Sequence, residues 1–209
     1  MRDTQIREWV QSLFASFGEP KRLANPEPLR RLHAEKRYTE MVGLISDYLR
    51  LDLQIRVGFV NSGGPKEAPA WVRGIGPVPM FGTSAFKQHT VEVFFRKSFL
   101  AEATFGITVI AIAHELSHVV LDAVRHTHRK QEEVVDLTAM FLGYRKFYLG
   151  DAHTTMSQVV DDYELLMKFV RQTVPEMAKV FASIGEECAR SAGYLSKEEV
   201  RYAAALMRT

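Results

Sequence analysis

A single cysteine, Cys188, is the only thiol in the chain, so no disulfide can form within it and the sequence suits a reducing compartment. A strong charge of one sign is also missing. With 27 basic and 25 acidic residues the formal charge is +2, too small to argue for nucleic acid or a membrane surface as partner. No uninterrupted apolar run is long enough for a bilayer: the longest, 105–121, is broken by His, Glu, Ser and His. The opening residues, Met1-Arg-Asp-Thr-Gln-Ile-Arg-Glu, lack the apolar centre of a signal peptide. No repeat, low-complexity tract or long linker is evident. A phosphate-cradling Gly-x-x-x-x-Gly-Lys-Ser/Thr is absent too, and Gly74-x-Gly76 opens no convincing helix. These absences predict a soluble cytoplasmic protein with no nucleic-acid or membrane partner. Its 209 residues suffice for one domain, with N-terminal helices over 1–50, a core over 51–150 and a helical C-terminal cap over 151–209.

What is present begins with helical periodicity. Ile6, Trp9, Val10, Leu13, Phe14 and Phe17 recur at helical spacing and Gly18 ends the run. The prolines at 20, 26 and 28 mark a connector. A second helix is expected over 28–50, with His33 on its solvated face. The period then shortens to two: Leu53, Ile55, Val57 and Phe59 alternate with Gln54, Arg56 and Gly58, the pattern of a half-buried strand. A short strand is expected near 78–81 and a second clear one over 90–95, with His89 in the loop before it. Helix follows from Ser98 as N-cap to about 124, with a break near Gly106, and again over 132–147. Thr155 with Gln158 and Ser196 with Glu199 have capping-box spacing, and Pro175 opens another helix between them.

Within the helical run lies His114-Glu115-Leu116-Ser117-His118. Residues four apart on a helix share a face about one turn apart, so His114 and His118 can grip one metal ion. Glu115 stands at the rim, where a carboxylate can take a proton from water activated by the ion. The pattern is the His-Glu-x-x-His of zinc hydrolases. The plainer reading is a pair of buried, satisfied core histidines. Against it, the surroundings are apolar, and burying two imidazoles and a carboxylate there costs free energy unless something binds them.

A zinc site needs a further protein ligand. One known scheme returns it after His-Glu-x-x-His-x-x-Gly-x-x-His/Asp, but those two positions hold Leu121 and Val124. Another takes a glutamate from the following helix, and Glu132-Glu-Val-Val-Asp136 follows a polar turn. Glu132 is the preferred ligand because Asp136 lies one turn on, on the same face. There Asp136 would accept the free N–H of His114 and fix its tautomer. Glu133 is the rival and Asp122 a weaker alternative. His126 and His128 alternate as residues of an exposed loop do. The plain reading of the acidic pair is a solvated helix start favoured by the helix dipole.

His-Glu-x-x-His followed by Glu-x-x-x-Asp resembles the gluzincin type of zinc metallopeptidase, and the size and short gap between helices are similar to the ImmA/IrrE-like branch. The likeness covers residues 90–145. It departs at Ser117, where that branch usually has glycine, and in the less direct passage from strand to helix. The resemblance implies a zincin-like α+β fold, with a small mixed sheet packed on the active-site helix and a mostly helical remainder. It implies one zinc ion per chain on His114, His118 and Glu132, Glu115 as general base and Asp136 as the residue orienting His114. It also implies an edge strand, expected at 90–95, that binds an extended protein or peptide substrate by strand addition. Tyr144, Tyr148 and His153 follow the third-ligand helix as candidates for a donor to the oxyanion, of which Tyr148 and His153 are the ones preferred.

The expected function is zinc-dependent peptide-bond hydrolysis with water activated by Glu115. The alternative is a non-catalytic zincin-like metal-binding domain that serves as a protein-interaction module. An intact Glu115 favours catalysis, because a purely structural site needs no base.

Overall fold

The computed structural model describes residues 2–62, 64–65, 68–73, 78–150 and 194–207. The helices expected near 156 and 175 lie outside the described residues, as do His153 and Cys188. The described chain is mixed α+β. Helix α1 (Arg2–Phe17) buries Ile6, Trp9, Val10 and Leu13 along one stripe, and Gly18 ends it at φ +72°. The expected helix over 28–50 is instead two, α2 (Pro26–Ala34) and α3 (Tyr38–Leu49). Asn25 caps α2 through the Glu27 N–H, and the chain reverses at Lys36, which takes φ +57°.

Three strands follow: β1 (Gln54–Val60), β2 (Ala70–Arg73) and β3 (Thr90–Arg96). Their order is β1-β3-β2, with β1 parallel and β2 antiparallel to β3. Two corrections result. The strand at 90–95 is not an edge: it is the centre of the sheet, bonded along both sides, and β2 holds the edge beyond it. Residues 78–81 form no strand, because the Val78 N–H is taken by Asp122 and the Phe81 N–H by the Ala123 carbonyl. The short helix α4 (Ser84–Gln88) sits before β3, capped by Thr83. Val91, Val93 and Phe95 turn inward and are fully buried, as period-two alternation requires.

After β3 come α5 (Lys97–Glu102) and α6 (Phe105–Ala123). The break falls at 103–104 rather than at Gly106, and Arg96, not Ser98, stands at the N-cap of α5. Thr104 caps α6 by accepting the Ile107 N–H. Val109, Ile112, Leu116 and Val119 are fully buried, and α6 packs against β2, α3 and α7 (Glu132–Ala139).

The helix expected over 132–147 is interrupted. Met140–Tyr144 form a π-helical turn before α8 (Arg145–Gly150). The connector after α1 explains it: Lys21 N–H donates to the Phe141 carbonyl and Ala24 N–H to the Gly143 carbonyl, drawing both out of the helical ladder. Gly143 takes φ +115°, and a Cβ there would meet the Arg22 carbonyl oxygen at 2.7 Å. The final helix, α9 (Lys197–Leu206), starts with the expected capping box of Ser196 and Glu199 and packs on α1 and α8.

Candidate metal centre

Helical periodicity puts His114 and His118 on one face of α6, with ring centroids 5.0 Å apart. The turn over 124–131 then brings α7 back across that face. Asp122 holds the turn together: it accepts from the Val78 N–H at 3.2 Å and pairs with Arg129 at 3.3 Å and Arg125 at 3.5 Å. Those partners occupy the carboxylate, so Asp122 is not placed among the metal-binding atoms. His118 meets Glu132, whereas His114, one turn earlier, meets both Glu132 and Asp136. The two helices therefore run in opposite directions.

Glu132 Oε2 lies 3.2 Å from His114 Nε2 and 3.2 Å from His118 Nε2. The three side chains each offer one ligand atom, all within 4.8 Å of one another, and the group could hold a metal ion. Ligand atoms about 2.0–2.1 Å from a tetrahedral zinc lie about 3.3 Å apart, so the spacing and the His, His, Glu donor set fit such an ion. Glu133 faces elsewhere, 3.7 Å from Arg2, which separates it from its rival.

Behind this face, Asp136 is 1 % exposed and receives three donors. His114 Nδ1 is 2.8 Å from Oδ1, the Tyr148 hydroxyl donates to Oδ1 at 2.9 Å, and the Tyr194 N–H donates to Oδ2 at 3.0 Å. A proton on Nδ1 leaves Nε2 as the ring atom for a ligand bond. Burial disfavours a charge on His114, but the hydrogen bonds it donates to Asp136 and Glu132 outweigh it and push its pKa up to about 10. The same carboxylates favour any positive charge placed here. Hydrogen bonds from His114 and His118 draw Glu132 down to about 2.

Glu115 is half-buried beside the histidines. Burial raises its pKa, while the neighbouring His114 and His118 pull the other way. The edge strand β2 packs against α6, the helix that carries the expected base.

Tyr148 is not positioned as an oxyanion donor. It is fully buried behind His114, its hydroxyl committed to Asp136, and burial lifts its pKa far above the phenol range. Tyr144 is also buried, and its hydroxyl has no hydrogen-bond partner among the described residues. The other candidate donor, His153, lies outside the described residues.

The loop histidines are corrected as well. His126 is 5 % exposed: its Nε2 is 3.2 Å from Ser12 Oγ, and its Nδ1 accepts the His128 N–H at 3.2 Å. It therefore serves as a packed link between α1 and the turn. His33 is half-buried, against Tyr38 and Phe105.

Sequence reasoning missed Tyr194, whose ring lies 5.7 Å from that of His114 at an interplanar angle of 18°. No local pattern pointed to it; only the nearby capping box was legible. No known protein family, curated protein or solved structure matches this chain.

Proposed function

We propose that this chain is a zinc-dependent peptidase of gluzincin type acting on a protein or peptide substrate. The observation that carries the reading is the placement of Glu132 Oε2 at 3.2 Å from both imidazole Nε2 atoms. His114, His118 and Glu132 are the residues that hold the ion. When bound, zinc supplies Lewis acidity that lowers the pKa of a coordinated water towards about 7.

The rest is work for the chain's own side chains. Asp136 keeps the His114 ring oriented through Nδ1. Glu115 is the base that takes a proton from water and passes it to the leaving amine, and its burial-raised pKa suits a group that must both accept and release a proton. The substrate backbone is best served by β2, whose far side is unpaired in the described sheet and which packs against the helix carrying Glu115. An extended peptide adding to that edge lies beside the base. The role first expected of the strand at 90–95 passes to β2 in this reading.

The test is zinc content and peptide cleavage measured together on wild type and Glu115→Gln. One zinc per chain in both, with cleavage of a peptide library by wild type alone, supports the peptidase. Zinc in both with no cleavage replaces it with a non-catalytic metal-binding module. A wild type that takes up no metal overturns both.

A further inference from the structure

Tyr194 is 58 residues beyond Asp136 in the chain, yet it touches the candidate metal centre twice. Its ring stacks nearly parallel on the His114 imidazole, and its backbone N–H donates to Asp136 Oδ2 at 3.0 Å. It stands at the surface, 48 % exposed. His114 is thus restrained from inside through Nδ1 and from the solvent side by an aromatic face. The aromatic face and the N–H held by Asp136 come from one residue, two positions before the N-cap of α9.

The position of Tyr194 is in turn set by α9. The capping box fixes how the chain enters the helix. Glu199 pairs with Arg2 of α1 at 2.7 Å, the Tyr202 hydroxyl accepts from Arg7 at 2.9 Å, and Arg145 of α8 donates to the Met207 carbonyl at 2.8 Å. Arg2 also reaches Glu133, the neighbour of Glu132. The two ends of the chain meet beside the site, and Tyr194 carries that junction to His114.

We propose that Tyr194 is a positioning residue through which docking of α9 sets the metal affinity of His114. The proposal rests on the metal-site reading above. Partners that orient a ligating histidine change metal affinity by about 10–100-fold, the scale expected here. The stacked ring is the part that a side-chain change removes, so phenylalanine should replace tyrosine and alanine should not.

The experiment uses the full chain, with zinc affinity measured against a competing chelator and the visible absorption of the cobalt-substituted protein as a second readout. Tyr194→Phe should bind zinc within about twofold of wild type. Tyr194→Ala should bind about tenfold or more weakly, with an altered cobalt spectrum. Glu199→Gln, which loses the charge facing Arg2, should weaken binding in the same direction. Where Tyr194→Ala fails to fold by circular dichroism, Tyr194→Leu takes its place. Wild-type affinity in a folded Ala or Leu variant overturns the proposal while the metal site stands. A wild type that binds neither ion overturns the metal site and this inference together.

Discussion

Asp136 Oδ1 lies 2.8 Å from Nδ1 of His114, so a carboxylate on α7 decides which nitrogen of an α6 imidazole faces Glu132. Asp136 is buried and takes three donors, from His114, Tyr148 and Tyr194. In Asp136→Asn the amide presents N–H groups where acceptors are needed. Leaving a buried donor unpaired should cost about 1–3 kcal/mol of stability, read from urea unfolding. Zinc affinity should fall about 10–100-fold by chelator competition. Unchanged affinity would show that Asp136 does not orient His114.

Glu132 and Glu133 are neighbours in sequence but face different partners, the two histidines and Arg2. Glu132→Ala should lose more zinc affinity than any change behind the ligands, over about 100-fold, while Glu133→Ala stays near wild type. Equal losses would return the third ligand to the choice left open by sequence.

Glu115→Gln should keep zinc while cleavage falls about 10²–10⁴-fold, the range for loss of a general base. Metal content and initial rate on one peptide substrate settle it. Retained rate would remove Glu115 from the mechanism.

The buried ring of His126 makes stability depend on pH. Burial first, and His128 second, hold its pKa below the ordinary 6.5. The unfolded chain therefore takes up a proton before the folded one does. The neutral ring's contribution is fully present above pH 6.5 and is lost as pH falls through the lower folded value. Lowering the pH from 7.5 to 5 should shift the urea midpoint less unfavourably in His126→Gln than in wild type. In both proteins His33, lowered by burial, acts in the same sense as His126, while His114, pushed up to about 10, acts in the opposite one. Identical shifts in the two proteins would discount His126.

Gly143 holds φ +115° with the Arg22 carbonyl where a Cβ would go. Gly143→Ala should destabilise by at least about 2 kcal/mol, combining a sparsely populated backbone with a backbone clash. Urea denaturation measures it, and a loss below about 0.5 kcal/mol would mean that the π turn relaxes easily.

The chain on its own was enough for features whose geometry is set within one or two helical turns. Four-residue spacing on a helix places His114 over His118 and Glu132 over Asp136, and the Ser196–Glu199 capping box forms as its spacing predicts. Alternation marked β1 and β3, but β2 was missed and a strand was expected at 78–81. Four residues of edge strand carry too little periodicity to separate from a loop.

What only tertiary structure decided concerns partners distant in sequence. Strand order put β3 in the centre and β2 beside Glu115, because pairing depends on which edges meet and not on the pattern within one strand. Asp122 pairs with Arg129, His126 with Ser12, and Tyr148 is enclosed behind Asp136. None of these has a local signature. Tyr194 reaches His114 only because α9 docks on α1, where Arg2 meets Glu199. Periodicity states which face a side chain occupies; packing of the folded chain states what that face meets.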